Sequence, residues 1–156
     1  MRRLMIGSLL LGVLAGCGDA ATHAKPAAPA GSPGMMIVYK SPTCGCCHEW
    51  VAYVRRHGFA VEIRDTEEMA PLKTQHGIPL NAQSCHTALL GGYVLEGHVP
   101  AEDIEWLLAE RPAITGLAVS GMPLGSPGME MPGGQRDAFD TLAIAADGAT
   151  SVFASH

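Results

Sequence analysis

The chain has 156 residues, 10 basic against 15 acidic side chains for a formal charge of -5, and 47% hydrophobic residues. That length supports one domain with a real core, and no cluster of basic residues is present to hold a nucleic acid. The modest acidity is ordinary for solubility and singles out no partner.

Met1-Arg2-Arg3, an apolar run from Leu4 to Ala15 and the small residues before Cys17 have the layout of an export signal, too short to span a bilayer comfortably. Residues 1–16 resemble a bacterial lipoprotein signal peptide, which implies lipidation of Cys17 and anchoring to a membrane in the bacterial periplasm. Gly18 after the cysteine, in place of Asp, points to the outer membrane in that family. Removing 1–16 leaves 140 residues and, without Arg2 and Arg3, a charge of -7. Residues 17–34 are rich in Ala, Pro and Gly without apolar period and read as a flexible tether.

The folded domain is expected over 35–156. Met35 to Tyr39 forms a buried strand, both methionines included, stopped by Ser41-Pro42. Trp50, Val51 and Val54 recur at helical spacing between Cys47 and His57, with Gly58 ending the helix. Ala60 to Arg64 alternates as a second strand. Asp65-Thr66-Glu67-Glu68 offers a capping box for a helix interrupted or restarted at Pro71. Thr87–Leu90, Gly91-Gly92 and Tyr93–Glu96 make a hairpin, and a helix opens at Pro100 and closes before Pro112. This order is that of an α/β, thioredoxin-like domain with a mixed sheet. The extension over about 112–156 begins with a Gly/Pro/Met-rich loop from Gly116 to Gly134, whose composition argues against any regular element. It ends in a β-hairpin built from Thr141–Ala145 and Thr150–Ala154 around Asp147-Gly148.

The chemistry concentrates at Thr43-Cys44-Gly45-Cys46-Cys47-His48, where a strand turns into a helix, and at Ser84-Cys85-His86-Thr87. Helix-start N–H groups favour a thiolate at Cys44, and a thioredoxin-like topology brings Cys85 beside Cys44 and Cys47. Three thiols in four residues exceed what disulfide exchange uses, and adjacent Cys46 and Cys47 diverge on a helix, which suits one zinc ion poorly. Several Cu(I) ions linked by bridging sulfurs fit better. Met122, Met129 and Met131 are secondary soft ligands, or simply pack their loop. His48 and His86 either ligate or cap the helix start. His57, His76 and His98 read as surface residues. No paired carboxylates, phosphate loop or Ser-His-Asp pattern is present.

Tyr39-Lys40-Ser41-Pro42-Thr43-Cys44-Gly45-Cys46-Cys47, Ser84-Cys85-His86-Thr87, Gly97-His98-Val99-Pro100, Gly121-Met122-Pro123 and Gly125-Ser126-Pro127-Gly128-Met129-Glu130 occur in that order. In this combination the chain resembles the CopG-type periplasmic copper-resistance proteins from about Met35 to its C-terminus. The resemblance implies a cysteine-bridged multinuclear copper cluster on Cys44, Cys46, Cys47 and Cys85, acting in copper binding or Cu(I)/Cu(II) interconversion during copper resistance. The leading reading is a lipid-anchored periplasmic protein that sequesters or redox-buffers Cu(I), and Ag(I), through those thiolates, with periplasmic copper-handling proteins as partners because copper is handed between proteins. Two other readings stay open. One is a thiol-disulfide oxidoreductase with Cys44 as nucleophile and Cys47 as resolving thiol. The other is a binding module stapled by two disulfides, as thiols outside the cytoplasm tend to become.

Overall fold

The computed structural model describes residues 34–156. The expected export signal, Cys17 and the expected tether up to residue 33 lie outside the described residues. Among the described residues no helix is long and apolar enough to cross a membrane.

Strand β1 (Met36–Lys40) runs into α1 (Gly45–Arg56), then β2 (Val61–Asp65) and α2 (Met69–Gln75). The hairpin β3 (Thr87–Leu90) and β4 (Tyr93–Glu96) leads to α3 (Ala101–Glu110), and β5 (Gly116–Ala118), β6 (Asp140–Ile144) and β7 (Thr150–Ser155) complete one sheet. Its order is β2-β1-β3-β4-β5-β6-β7. The β1–β2 and β4–β5 pairs are parallel and the others antiparallel. The first four strands with α1 to α3 are the thioredoxin-like unit, and the extension prolongs the same sheet.

Alternation along β1 buries Met36, Val38 and Lys40 completely. Met35, expected in that core, is 54% exposed because it lies outside the β1–β2 pairing, which begins at Met36↔Val61. The main core joins Met36, Val38, Leu95 and Leu117 of the sheet to Trp50, Val51 and Val54 of α1 and Ile104 and Leu107 of α3. Ile78, Ala82, Val94, Ala118 and Ile144 form a smaller second core, as expected where successive strand residues face opposite sides. Trp50 also donates its indole N–H to the Val99 carbonyl at 3.0 Å.

Two local expectations need correction. The capping box does not form: Thr66 Oγ1 accepts the Glu68 N–H at 3.0 Å, and α2 starts at Met69 with no side-chain cap. Pro71 then sits in the first turn, where its missing N–H costs nothing, so the helix is not interrupted. The second correction is β5, a strand inside the stretch expected to be irregular. A Cβ at Gly116 would lie 1.8 Å from the Val94 carbonyl oxygen, so this glycine is what lets the chain pair with β4.

The β3–β4 turn uses Gly91 and Gly92 at φ of 59° and 91°, the left-handed pair that a two-residue hairpin requires. It fixes the register Thr87↔Glu96, Ala88↔Leu95, Leu89↔Val94 and Leu90↔Tyr93.

Candidate metal centre

Cys44 occupies the N-cap of α1, in extended conformation between β1 and the helix. Cys46 and Cys47 follow in the first helical turn, Cys46 half-buried and Cys47 fully buried. Cys44 and Cys47 are joined by a disulfide, while Cys46 and Cys85 are free thiols. Cys46 Sγ lies 3.6 Å from Cys44 Sγ and 3.9 Å from Met122 Sδ. The sulfurs of Cys44, Cys46, Cys47 and Cys85 all lie within 4.8 Å of one another.

Cys85 is delivered by the hairpin. Continuing the β3–β4 register past Thr87↔Glu96 sets His86 opposite Gly97, whose N–H donates to the His86 carbonyl at 2.9 Å, and Cys85 opposite His98. Cys85 Sγ is accordingly 3.2 Å from His98 Nε2 and 3.3 Å from His86 Nδ1. His98 is completely buried, contrary to the expectation of a surface residue. The missed signal was hairpin register, since spacing along the chain pairs His98 with nothing.

Both imidazoles are held in place. His98 Nδ1 donates to the Pro127 carbonyl at 2.7 Å, which leaves Nε2 as a lone pair facing the sulfur. His86 lies against Trp50, ring centroids 4.4 Å apart, with its buried Nε2 unpartnered. Burial pushes the His86 pKa well below the usual imidazole value, and neighbouring His98, Lys73 and Lys40 add to this; burial also lowers His98. Burial, reinforced by Cys46, pushes the Cys85 thiol up to about 12. Without a metal, therefore, the resting state is a neutral thiol between neutral imidazoles.

Behind Cys85 sits a buried charge cluster. The Glu96 carboxylate accepts from the Ser84 N–H at 2.6 Å, from Thr87 Oγ1 at 2.6 Å and from the Lys73 ammonium. The Met-rich loop covers the other side. Ser84 Oγ donates to the Gly121 carbonyl, and Gly128 packs so closely on α1 that a Cβ there would stand 2.6 Å from the Trp50 nitrogen.

The secondary candidates separate. Met122 reaches Cys46. Met129 is half-buried with its backbone closing turns to Ser126 and Gly125, and exposed Met131 lines a shallow pocket with Glu130 and Arg136. His48 is exposed and its ring Nδ1 bonds the Cys44 carbonyl at 2.9 Å, the contact expected of a residue that caps the helix start.

A family model described as "Protein of unknown function, DUF411" matches residues 82–129, the stretch carrying Cys85, His98 and the Met-rich loop as far as Met129. No curated protein matches. Two solved structures titled copper resistance protein copG, Form 1 and Form 2, superpose with a TM-score of 0.74 each. The first is 40% identical and the match covers 80% of this chain and 98% of that one; for the second the values are 39%, 78% and 97%. At that identity over nearly the whole length of its relatives, the chain belongs to the CopG family of copper resistance proteins.

Proposed function

We propose that this protein binds copper as Cu(I), and Ag(I) by the same soft chemistry, in a cysteine-bridged multinuclear site made by Cys44, Cys46, Cys47 and Cys85. The observation that carries the reading is the gathering of four sulfurs within 4.8 Å of one another, an all-sulfur set of the soft donors that suit Cu(I) and can be shared between several ions. Two of these sulfurs are disulfide-bonded in this state. Loading the full set requires a reductant supplying two electrons and two protons to Cys44 and Cys47, after which metal entry displaces the thiol protons. The role is copper resistance by sequestration or Cu(I)/Cu(II) interconversion, in the periplasm and on a lipid anchor at Cys17.

Anaerobic titration of the reduced protein tests this: several Cu(I) ions per chain are expected, and fewer in Cys85→Ser. One tightly held zinc with negligible copper uptake would sink it. The disulfide at the start of α1 also favours a second reading, thiol-disulfide exchange through Cys44 and Cys47. Reductase activity that survives metal removal and disappears in Cys44→Ser would select that one.

A further inference from the structure

When Cys44 and Cys47 are disulfide-bonded, neither supplies a thiolate, and the all-sulfur centre loses half its donors. The remaining donors are not a random remnant. Cys85 Sγ, one imidazole nitrogen of His86 and one of His98 lie within 4.8 Å of one another, with sulfur-to-nitrogen distances of 3.3 and 3.2 Å. A tetrahedral ion at ordinary metal–sulfur and metal–nitrogen lengths sets that separation at about 3.6 Å, so a shift of a few tenths of an ångström admits it. His98 also has the second-shell partner typical of a metal-bound histidine, its Nδ1–H on the Pro127 carbonyl, which fixes both the tautomer and the ring direction. His86 is completely buried and packed at a tilt against Trp50, its Nδ1 turned to the sulfur at the expense of an unpartnered Nε2.

We propose that Cys85 Sγ, His86 Nδ1 and His98 Nε2 form a distinct sulfur–nitrogen site for one divalent borderline cation, available while Cys44 and Cys47 are disulfide-bonded. One thiolate with two imidazoles suits Zn(II), Co(II) or Cu(II), unlike the thiolate set proposed for Cu(I). The bound cation replaces the Cys85 thiol proton, which passes to solvent, and a fourth position stays open. Since Cys85 belongs to both sets, this extends the copper reading: the thiol state of Cys44 and Cys47 decides which class of cation the pocket prefers.

The test uses the full chain with its Cys44–Cys47 disulfide intact and Co(II), which does not oxidise thiols, as the probe. One Co(II) per chain with a thiolate charge-transfer band is expected. Cys46→Ser should keep it, Cys85→Ser should abolish it, and His98→Gln or His86→Gln should weaken it at least tenfold. Because both histidines are buried and their variants can misfold, Zn(II) added to the unaltered protein gives a second readout. The imidazole nitrogen resonances of His86 and His98 should shift while those of His48, His57, His76 and His156 stay. No thiolate band in the unaltered protein, a band lost in Cys46→Ser, full affinity in a folded His98→Gln variant, or unmoved His86 and His98 resonances would overturn the proposal. Cu(I) uptake by the reduced protein is measured separately, so either reading can fail alone.

Discussion

Replacing Glu96 with glutamine should destabilise the protein by about 3 to 5 kcal/mol, the range for breaking a buried ion pair by removing one partner. The Lys73 and Glu96 side chains are 6% and 0% exposed, so water can solvate neither charge once the other is gone. Glutamine keeps an acceptor for the Ser84 N–H, and the Thr87 hydroxyl stays 3.1 Å from the Lys73 ammonium, so shape and most hydrogen bonds survive. What is lost is charge balance. Removing both charges with Lys73→Met and Glu96→Leu should recover most of the loss, since buried pairs exchange for apolar residues at little cost. Urea unfolding of the two single variants and the double variant, compared as a double-mutant cycle, measures the coupling. A Glu96→Gln variant within about 1 kcal/mol of the unaltered protein would refute the reasoning.

In the metal-free protein the unfolded chain binds protons at His86 and His98 more readily than the folded one, because burial lowers both folded pKa values. Their stabilising contribution is therefore present above the ordinary imidazole pKa of about 6.5 and is lost as pH falls through and below it. Urea midpoints should fall with acidification through that window, and less steeply in His86→Gln. With the thiol of Cys85 pushed up to about 12, iodoacetamide at pH 8 should modify Cys85 slowly; peptide mapping that finds Cys85 labelled at an ordinary thiol's rate would contradict the neutral resting state. Gly128→Ala, at φ 83° and against the Trp50 backbone, should cost about 1 to 3 kcal/mol. It should also lift the Met-rich loop, read as a lower melting temperature with faster proteolysis near Met122. Trp50→Phe should cost about 1 to 3 kcal/mol by leaving the buried Val99 carbonyl without its donor, measured by urea unfolding.

Local patterns carried much of the fold. Gly91-Gly92 marked the hairpin, Trp50, Val51 and Val54 the buried face of α1, and Pro112 the end of α3, because each depends on backbone sterics or periodicity within a few residues. The misses are long-range. Gly116 signals a loop until Val94 is known to lie against it. Lys40, Lys73 and Glu96 are charged yet buried, which only their partners Asp65, Thr87 and each other make tolerable.

The same division runs through the metal centre. Sequence alone determined the candidate donors, soft thiols at a strand-to-helix turn with a further thiol beside a hairpin, since residue type sets ligand chemistry and local pattern sets the turn. Tertiary structure decided which donors meet. It put Met122 rather than Met131 near Cys46, turned His48 to the helix start, and brought His98 to Cys85. Ligation depends on separations of a few ångströms, and those are fixed by strand register and by a loop docked on α1.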